Sequence, residues 1–142
     1  KTQGMRKILL LLIATTLTTA LTAQRESDRP AIEKATAELA AVYGLDEAQQ
    51  AEMYTIQERR FRNLAEIEPL REQDYRLFLA KRKAVRTGTE HSIERLLTES
   101  QWETFFARRV ERRKQEAALI KEMRAAGASK EEIQLKLLEF EN

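Results

Sequence analysis

The chain has 142 residues, 34% of them charged and 6% aromatic, and it contains no cysteine. The absence of cysteine excludes a disulfide framework and a lipoprotein anchor. With four glycines and two prolines, the composition favours long amphipathic helices that pack thinly, not a thick globular core. We therefore expect one all-α domain.

The first 23 residues have the pattern of a cleavable signal peptide. A short basic segment, Met5-Arg6-Lys7, precedes the apolar run Ile8 to Ile13, and the chain then stays apolar or rich in threonine and ends in a small residue at Ala23. Residues 1–4 precede a plausible start methionine and are read as an extension. The apolar stretch is short and rich in threonine, so we expect cleavage after Ala23 and no stable membrane insertion. An uncleaved N-terminal anchor is the alternative.

Removal of this segment changes the charge of the chain. Of the 25 basic and 23 acidic residues, Lys1, Arg6 and Lys7 precede the expected cleavage point, so the net charge falls from +2 to about −1. The basic character of the full chain is therefore no indication of nucleic-acid binding. The protein is expected to be periplasmic, with residues 24–142 forming a single domain.

The first helix of that domain is predicted over Ala31 to Tyr43. Asp28 can cap its start, with Pro30 in the first turn, and Gly44 is placed to end it in a left-handed conformation.

A capping motif then predicts the first long helix. In Leu45-Asp46-Glu47-Ala48-Gln49, the aspartate can accept a hydrogen bond from the backbone of the first turn, and the glutamine can reach back to the cap. The apolar pattern runs on to Arg86. Pro69 interrupts it and must kink or break the helix, and the sequence leaves these two possibilities open.

The same device recurs after a predicted turn at Thr87-Gly88-Thr89 and a short helix containing Ile93. Leu97-Thr98-Glu99-Ser100-Gln101 predicts a second long helix, from Thr98 to about Ala126. Ser129 and Glu132 form a further capping box, which opens a last helix ending near Phe140. The sequence indicates no role for this last helix.

Catalysis is not expected from this set of residues. The chain has one histidine, no cysteine and no glycine-rich phosphate loop, and its carboxylates alternate with arginine and lysine as on a solvated helix face. His91 is interpreted as an exposed residue, because a metal site needs three or four ligands with recognisable spacing. No cofactor or metal is predicted.

Three basic clusters lie next to apolar residues. Long basic side chains cover apolar surface while their charged groups stay in water, so such a face can hold unfolded chain loosely. The alternative is an ordinary solvent face with paired charges. The clusters are Arg59, Arg60 and Arg62; Lys81, Arg82, Lys83 and Arg86; and Arg108, Arg109, Arg112, Arg113 and Lys114.

The two capping motifs resemble the Leu-Thr-x-x-Gln repeat of the periplasmic Spy/CpxP family. The copy at Leu97, Thr98 and Gln101 matches fully, and the copy at Leu45, Asp46 and Gln49 has aspartate in place of threonine. The resemblance implies a long kinked helical hairpin with short flanking helices, paired as an antiparallel cradle-like homodimer. It also implies an ATP-independent chaperone that holds unfolded or partly folded envelope proteins.

Two rival functions stay open. The first is a regulatory module that docks one envelope stress-signalling protein, because members of the family that the chain resembles also restrain sensor kinases or bind metals. The second is a purely structural protein. The chain lacks the histidine-rich tail of metal-binding relatives. The expected client-binding residues are Met53, Tyr54, Arg60, Phe61, Phe105, Arg109 and Arg113. The sequence does not say which of them face a client and which face a second copy.

Overall fold

The computed structural model describes residues 28–140, and within that range the chain is helical and contains no strand. The predicted signal peptide, residues 1–23, lies outside the described residues. The all-α prediction is confirmed for the part described. The helices are α1 (28–43), α2 (Glu47–Ile67), α3 (Leu70–Gln73), α4 (Tyr75–Leu96), α5 (Glu99–Ala125) and α6 (Lys130–Phe140).

The junction between α1 and α2 follows its sequence signals. Gly44 has a φ of +62°, which is the left-handed conformation that glycine adopts at little cost. The backbone N–H of Leu45 then donates to the carbonyl of Ala40 at 3.0 Å. Asp46 caps α2 by accepting from the Gln49 N–H at 2.8 Å. Both predicted boundaries are confirmed.

The chain reverses direction at Pro69. Helix α2 ends two residues before this proline and α4 begins after Asp74, whose carboxylate accepts from the Leu77 N–H at 2.9 Å. The two helices pack antiparallel, because Gln49 at the start of α2 contacts Leu96 at the end of α4. Pro69 therefore separates two helices, and a continuous rod from residue 46 to residue 86 is not formed.

The turn predicted at Thr87-Gly88-Thr89 is wrong, because α4 continues through all three residues. The Thr89 hydroxyl donates to the Val85 carbonyl at 2.8 Å, within the helix. Leu79 and Ile93, on either side of this segment, are both buried. Their packing offsets the cost of about 1 kcal/mol for a glycine inside a helix. The short separate helix predicted around Ile93 is accordingly the last part of α4.

Helices α5 and α6 continue from this hairpin. Leu97 is extended, with φ −76° and ψ 143°, and it turns the chain from α4 into α5. Arg112 of α5 then pairs with Glu90 of α4, so the two helices run antiparallel. Gly127, at φ +79°, lies in the turn between α5 and α6. Helix α6 returns towards α4, where the Arg82 guanidinium donates to the Leu138 carbonyl at 2.8 Å.

The main core lies where the two capping motifs meet, and we call this region the motif end. Leu45 and Leu97, the first residues of the two motifs, are each 6% exposed and belong to the same buried cluster. The two helix starts therefore pack together, as the repeated motif predicts. The cluster comprises Ala40, Tyr43, Leu45, Met53, Ile56, Ile93, Leu97 and Phe105.

The glutamines of the two motifs bind each other across the motif end. The Gln49 side-chain amide donates to Gln101 Oε1 at 2.9 Å, and the Gln101 amide donates to Gln49 Oε1 at 3.0 Å. The same amides also donate to the carbonyls of Leu96 and Gly44, each two residues before the partner motif's cap. We call this pair the glutamine clasp. Both N–H groups of both amides are satisfied by it.

Each glutamine in the clasp also caps its own helix. Gln49 Oε1 accepts from the Asp46 N–H at 3.2 Å, and Gln101 Oε1 accepts from the Thr98 N–H at 2.9 Å. One amide therefore starts a helix with its oxygen and joins the two helix starts with its nitrogen. This double use explains why glutamine, and not glutamate, stands at both positions, since a carboxylate cannot donate.

Candidate functional site

A concave site opens between the helices beside the motif end. It has a volume of about 590 Å³, which is within the usual range for small-molecule pockets. Among the described residues its lining includes five arginines and one glutamate, and we call it the arginine cleft. The charged residues are Arg60, Arg86, Arg108, Arg109, Arg112 and Glu90, and the apolar and aromatic ones are Leu39, Tyr43, Ile93, Phe105 and Phe140.

Glu90 fixes two of these arginines from different directions. Its carboxylate lies 3.7 Å from Arg86 on its own helix and accepts two hydrogen bonds from Arg112 on α5, one of them at 3.1 Å. Arg112 is also within 3.5 Å of Glu116. The Arg112–Glu90 ion pair links α5 to α4 across the cleft, because a guanidinium can contact a carboxylate at two atoms.

Arg109 is held by a carboxylate and by two aromatic rings. It lies 3.6 Å from Glu94, and its guanidinium carbon is 5.6 Å from the Phe105 ring centre and 5.8 Å from that of Phe106. Such cation–π contacts stabilise by about 0.5–1 kcal/mol at exposed sites. Arg109 therefore joins the buried and the exposed aromatic residues of α5.

The remaining two arginines carry the free positive charge of the cleft. Within residues 28–140, neither Arg60 nor Arg108 forms an ion pair. Burial lowers the pKa of Arg60, because a desolvated guanidinium loses favourable hydration. The pKa of Tyr43, also in the cleft, is raised by burial and by Glu90, against the opposing effect of Arg108. The cleft therefore has an excess of positive charge next to apolar walls.

A second feature is a row of exposed apolar residues along α5. Trp102, Phe106 and Val110 are spaced four residues apart, so they lie on one face of the helix. They are 40%, 42% and 49% exposed, respectively. The Trp102 and Phe106 rings meet edge to face with their centres 6.0 Å apart. We call these three residues the α5 row, and none of them lines the arginine cleft.

Two of the predicted client-binding residues are core residues instead. Met53 is completely buried and Phe105 is 3% exposed, and both belong to the main core. The expectation that they form an open surface is wrong for this structure. The periodicity of α2 and α5 predicts which residues share a face, but not which neighbouring helix covers it. In α5 the exposed aromatic residues are Trp102 and Phe106.

The structure places the other five predicted residues in different surroundings. Arg60 and Arg109 are half-buried and line the arginine cleft, Tyr54 and Phe61 are half-buried outside it, and Arg113 is exposed. The sequence alone does not identify Tyr43, Arg86, Arg108, Arg112 or Phe140 as site residues. Three of these were signalled as members of the basic clusters, but the pairing of clusters from α2, α4 and α5 depends on the tertiary fold.

His91 is exposed, with Nδ1 3.7 Å from Glu94 Oε2. Over the described range, residues 28–140, no group of three or more metal-ligating side chains comes together.

A scan against protein-family models finds no match to this chain, and searches of curated proteins and of solved structures find none either. Within residues 28–140, none of the helices combines the length and the apolar character that crossing a membrane requires.

Proposed function

We propose that this protein is an ATP-independent periplasmic chaperone that holds unfolded or partly folded proteins on the α5 row and the arginines beside it. The observation that carries the proposal is the exposure of Trp102, Phe106 and Val110 as one continuous apolar row. An unfolded chain exposes apolar side chains, and their burial against such a row stabilises the complex by about 25 cal/mol per Å² before the costs of association.

The charges near the row support the same function. Arg109 contacts Phe106, and Arg113 is exposed one helical turn further along α5. Arginines beside an apolar row attract acidic segments of a client and speed the encounter. Since this attraction is screened by salt, capture should slow at high ionic strength while the apolar contacts persist.

The resemblance to the Spy/CpxP family supports the proposal from a different direction. It rests on two capping motifs 52 residues apart, at Leu45 and Leu97. Both motifs begin helices, and their glutamines form the glutamine clasp. The signal-peptide pattern of residues 1–23 and the same resemblance support the proposed periplasmic location.

An aggregation assay with matched variants tests the proposal. The purified protein, without ATP, should reduce the light scattering of a chemically denatured, diluted test protein. The double variant Phe106→Ser/Val110→Ser should lose most of this effect, whereas Leu77→Ser/Leu135→Ser should keep it. Leu77 and Leu135 are 41% and 37% exposed but lie on α4 and α6, so the control removes similar apolar area elsewhere.

The outcome separates the chaperone from its rivals. Full loss of function in both double variants, or no suppression by the folded parent protein, would contradict the proposal. If the parent leaves aggregation unchanged but binds one envelope protein tightly, the regulatory alternative is correct. Circular dichroism of each variant checks that its helices are retained.

We further propose that two copies pair as an antiparallel, cradle-like dimer. The resemblance implies this arrangement, and exposed apolar residues outside the α5 row, among them Val42 and Tyr75, provide area for it. Sedimentation equilibrium measures the mass in solution. A monomer at tens of micromolar protein would contradict the dimer and leave the chaperone proposal to its own assay.

A further inference from the structure

The arginine cleft combines two features that a single small ligand can satisfy together. Among the described residues, five arginines and one glutamate line a concave space of about 590 Å³, and the walls between them are aromatic or aliphatic. Glu94 and Glu116 pair with two of these arginines, so the charges of two arginines stay unbalanced. A purely structural ion-pair network balances its charges, whereas this lining has an excess of positive charge. A purely apolar client site does not need desolvated guanidinium groups, since their burial is costly.

Of the five arginines that line the cleft, Arg60 and Arg108 are the two that form no ion pair within residues 28–140. Arg60 is half-buried and Arg108 is exposed. A guanidinium stays charged in proteins, so burial of Arg60 without a carboxylate partner is unfavourable until an anion binds. Both residues line the cleft, and both also line a second hollow of about 380 Å³ that adjoins it through the shared Leu39 and Ile93. Glu38, Gln57 and Thr89 also line this second hollow. The free positive charge is therefore located where the two hollows meet.

The apolar walls determine the rest of the ligand. Tyr43 and Phe105 have ring centres 6.3 Å apart, and Phe140 reaches the same space from α6. Tyr43 and Phe105 are buried, whereas Leu39 is half-buried and Phe140 is 39% exposed. Small hydrophilic anions such as acetate or phosphate would leave Leu39 and Phe140 in contact with water. A carboxylate carried on an aliphatic chain would cover them and would also pair with the guanidinium groups in their preferred two-contact geometry.

We propose that the arginine cleft binds a single long-chain carboxylate, with its headgroup at Arg60 and Arg108 and its aliphatic chain against the accessible apolar surface of Leu39 and Phe140. The inference does not rest on the proposed chaperone function, since the α5 row lies outside the cleft. Loss of the α5 row would abolish aggregation suppression and leave carboxylate binding intact. Loss of the charges of Arg60 and Arg108 would do the reverse.

Titration calorimetry with dodecanoate, below its micelle-forming concentration, tests the proposal on the full chain. We expect saturable binding of one dodecanoate per protein. Affinity should increase about three- to fourfold for each methylene from octanoate to dodecanoate, because each buried methylene adds a similar increment of apolar burial. Dodecyltrimethylammonium, with the opposite charge, should not compete, and neither should acetate.

Variants of matched length identify the headgroup site. Arg60→Met and Arg108→Met keep the length of the side chain and remove its charge, and each should weaken dodecanoate binding about ten- to hundredfold, as expected for loss of a charged hydrogen bond. Arg62→Met on α2 and Arg113→Met on α5 are the controls, because neither lines the cleft. Thermal melts followed by circular dichroism verify that all four variants fold.

Three results would overturn the proposal: equal dodecanoate affinity in the parent, Arg60→Met and Arg108→Met; binding of dodecyltrimethylammonium as tight as that of dodecanoate; or no dependence of affinity on chain length. The first would place the ligand elsewhere. The second would indicate an apolar surface without charge selection, and the third would indicate a site for simple anions.

Discussion

At the motif end, side chains from four helices bury one cluster around Leu45 and Leu97, and two glutamine amides join the helix starts. In the second half of α5 and throughout α6, no described residue is buried. The two regions contain the same kinds of residue, since both alternate charged and aliphatic side chains at helical spacing. They differ in how many helices surround each position.

This difference indicates where the stability of the chain is located and where it is free to bind. Buried apolar area is the main favourable contribution to folding, so the motif end should set the global free energy of unfolding. The outer parts of α5 and α6 should open more easily. Their exposed apolar residues contribute little to stability and can therefore serve a partner.

The largest expected effect comes from emptying the core. Leu97→Ala should lower the free energy of unfolding by about 2–5 kcal/mol, because it leaves a cavity in the main core. Val110→Ala, which shortens an aliphatic residue that is 49% exposed, should change it by less than about 0.5 kcal/mol. Urea denaturation followed by circular dichroism measures both. Equal decreases in the free energy of unfolding would mean that Val110 is packed as closely as Leu97.

The glutamine clasp should give the next largest effect. Gln49→Ala and Gln101→Ala should each cost about 1–3 kcal/mol, because each removes several hydrogen bonds from a half-buried network. The two changes should not add, and their coupling energy should be about 1 kcal/mol or more. Gln134→Ala on α6, whose side chain is exposed, is the control and should not couple to Gln101→Ala. Strict additivity of Gln49→Ala and Gln101→Ala would contradict the clasp.

Two glycines provide a matched pair with opposite signs. An added Cβ meets nothing within 4 Å at either Gly44 or Gly88, but Gly44 has a φ of +62° whereas Gly88 lies inside α4. Gly44→Ala should destabilise by about 1–2 kcal/mol, since an L-residue is strained there. Gly88→Ala should stabilise by about 0.5–1 kcal/mol. Thermal melts measure both changes in stability. Destabilisation by Gly88→Ala would favour the turn predicted at Thr87-Gly88-Thr89 over a continuous α4.

The elements that the sequence predicted well are those fixed by local chemistry. The caps at Asp46 and Thr98 and the stop at Gly44 depend on residues within one turn of each other. The prediction of a turn at Gly88 was wrong, because the tertiary packing of Leu79 and Ile93 outweighs the weak preference of glycine against helix. Pro69 was ambiguous for the same reason: the ring stops a helix, but only contacts between α2 and α4 select a full reversal.

The candidate site depended even more on the tertiary fold. The basic clusters of α2, α4 and α5 were visible as separate runs, but nothing local indicates that Arg60, Arg86 and Arg108 surround one cleft. The sequence also could not predict which residues of α5 are buried. Phe105 and Phe106 are adjacent, yet Phe105 is buried and Phe106 is exposed. A helical repeat gives the relative angle of two side chains, not the side on which the core lies.

The smallest expected effect is a local pH response at the start of α6, far from the motif end. The Ser129 N–H donates to Glu132 Oε2 at 2.7 Å, and the Glu132 N–H donates to the Ser129 hydroxyl oxygen at 3.2 Å. Hydrogen bonds from the backbone and side chain of Ser129 lower the pKa of Glu132 below that of an unfolded glutamate, about 4.3. The cap therefore stabilises α6 fully above that value, and it is lost as the pH falls through the lower pKa of the folded state.

The Ser129 amide resonance should therefore titrate below pH 4.3 in NMR spectra, while amides of the motif end stay unchanged. In Glu132→Gln this titration should disappear, because the amide oxygen still accepts the Ser129 hydrogen bond and carries no proton to gain. Glu131→Gln, one residue away, should leave it in place. A simultaneous loss of the Leu97 amide signal would show that α6 and the core unfold together. The prediction that α6 opens more easily than the motif end would then be wrong.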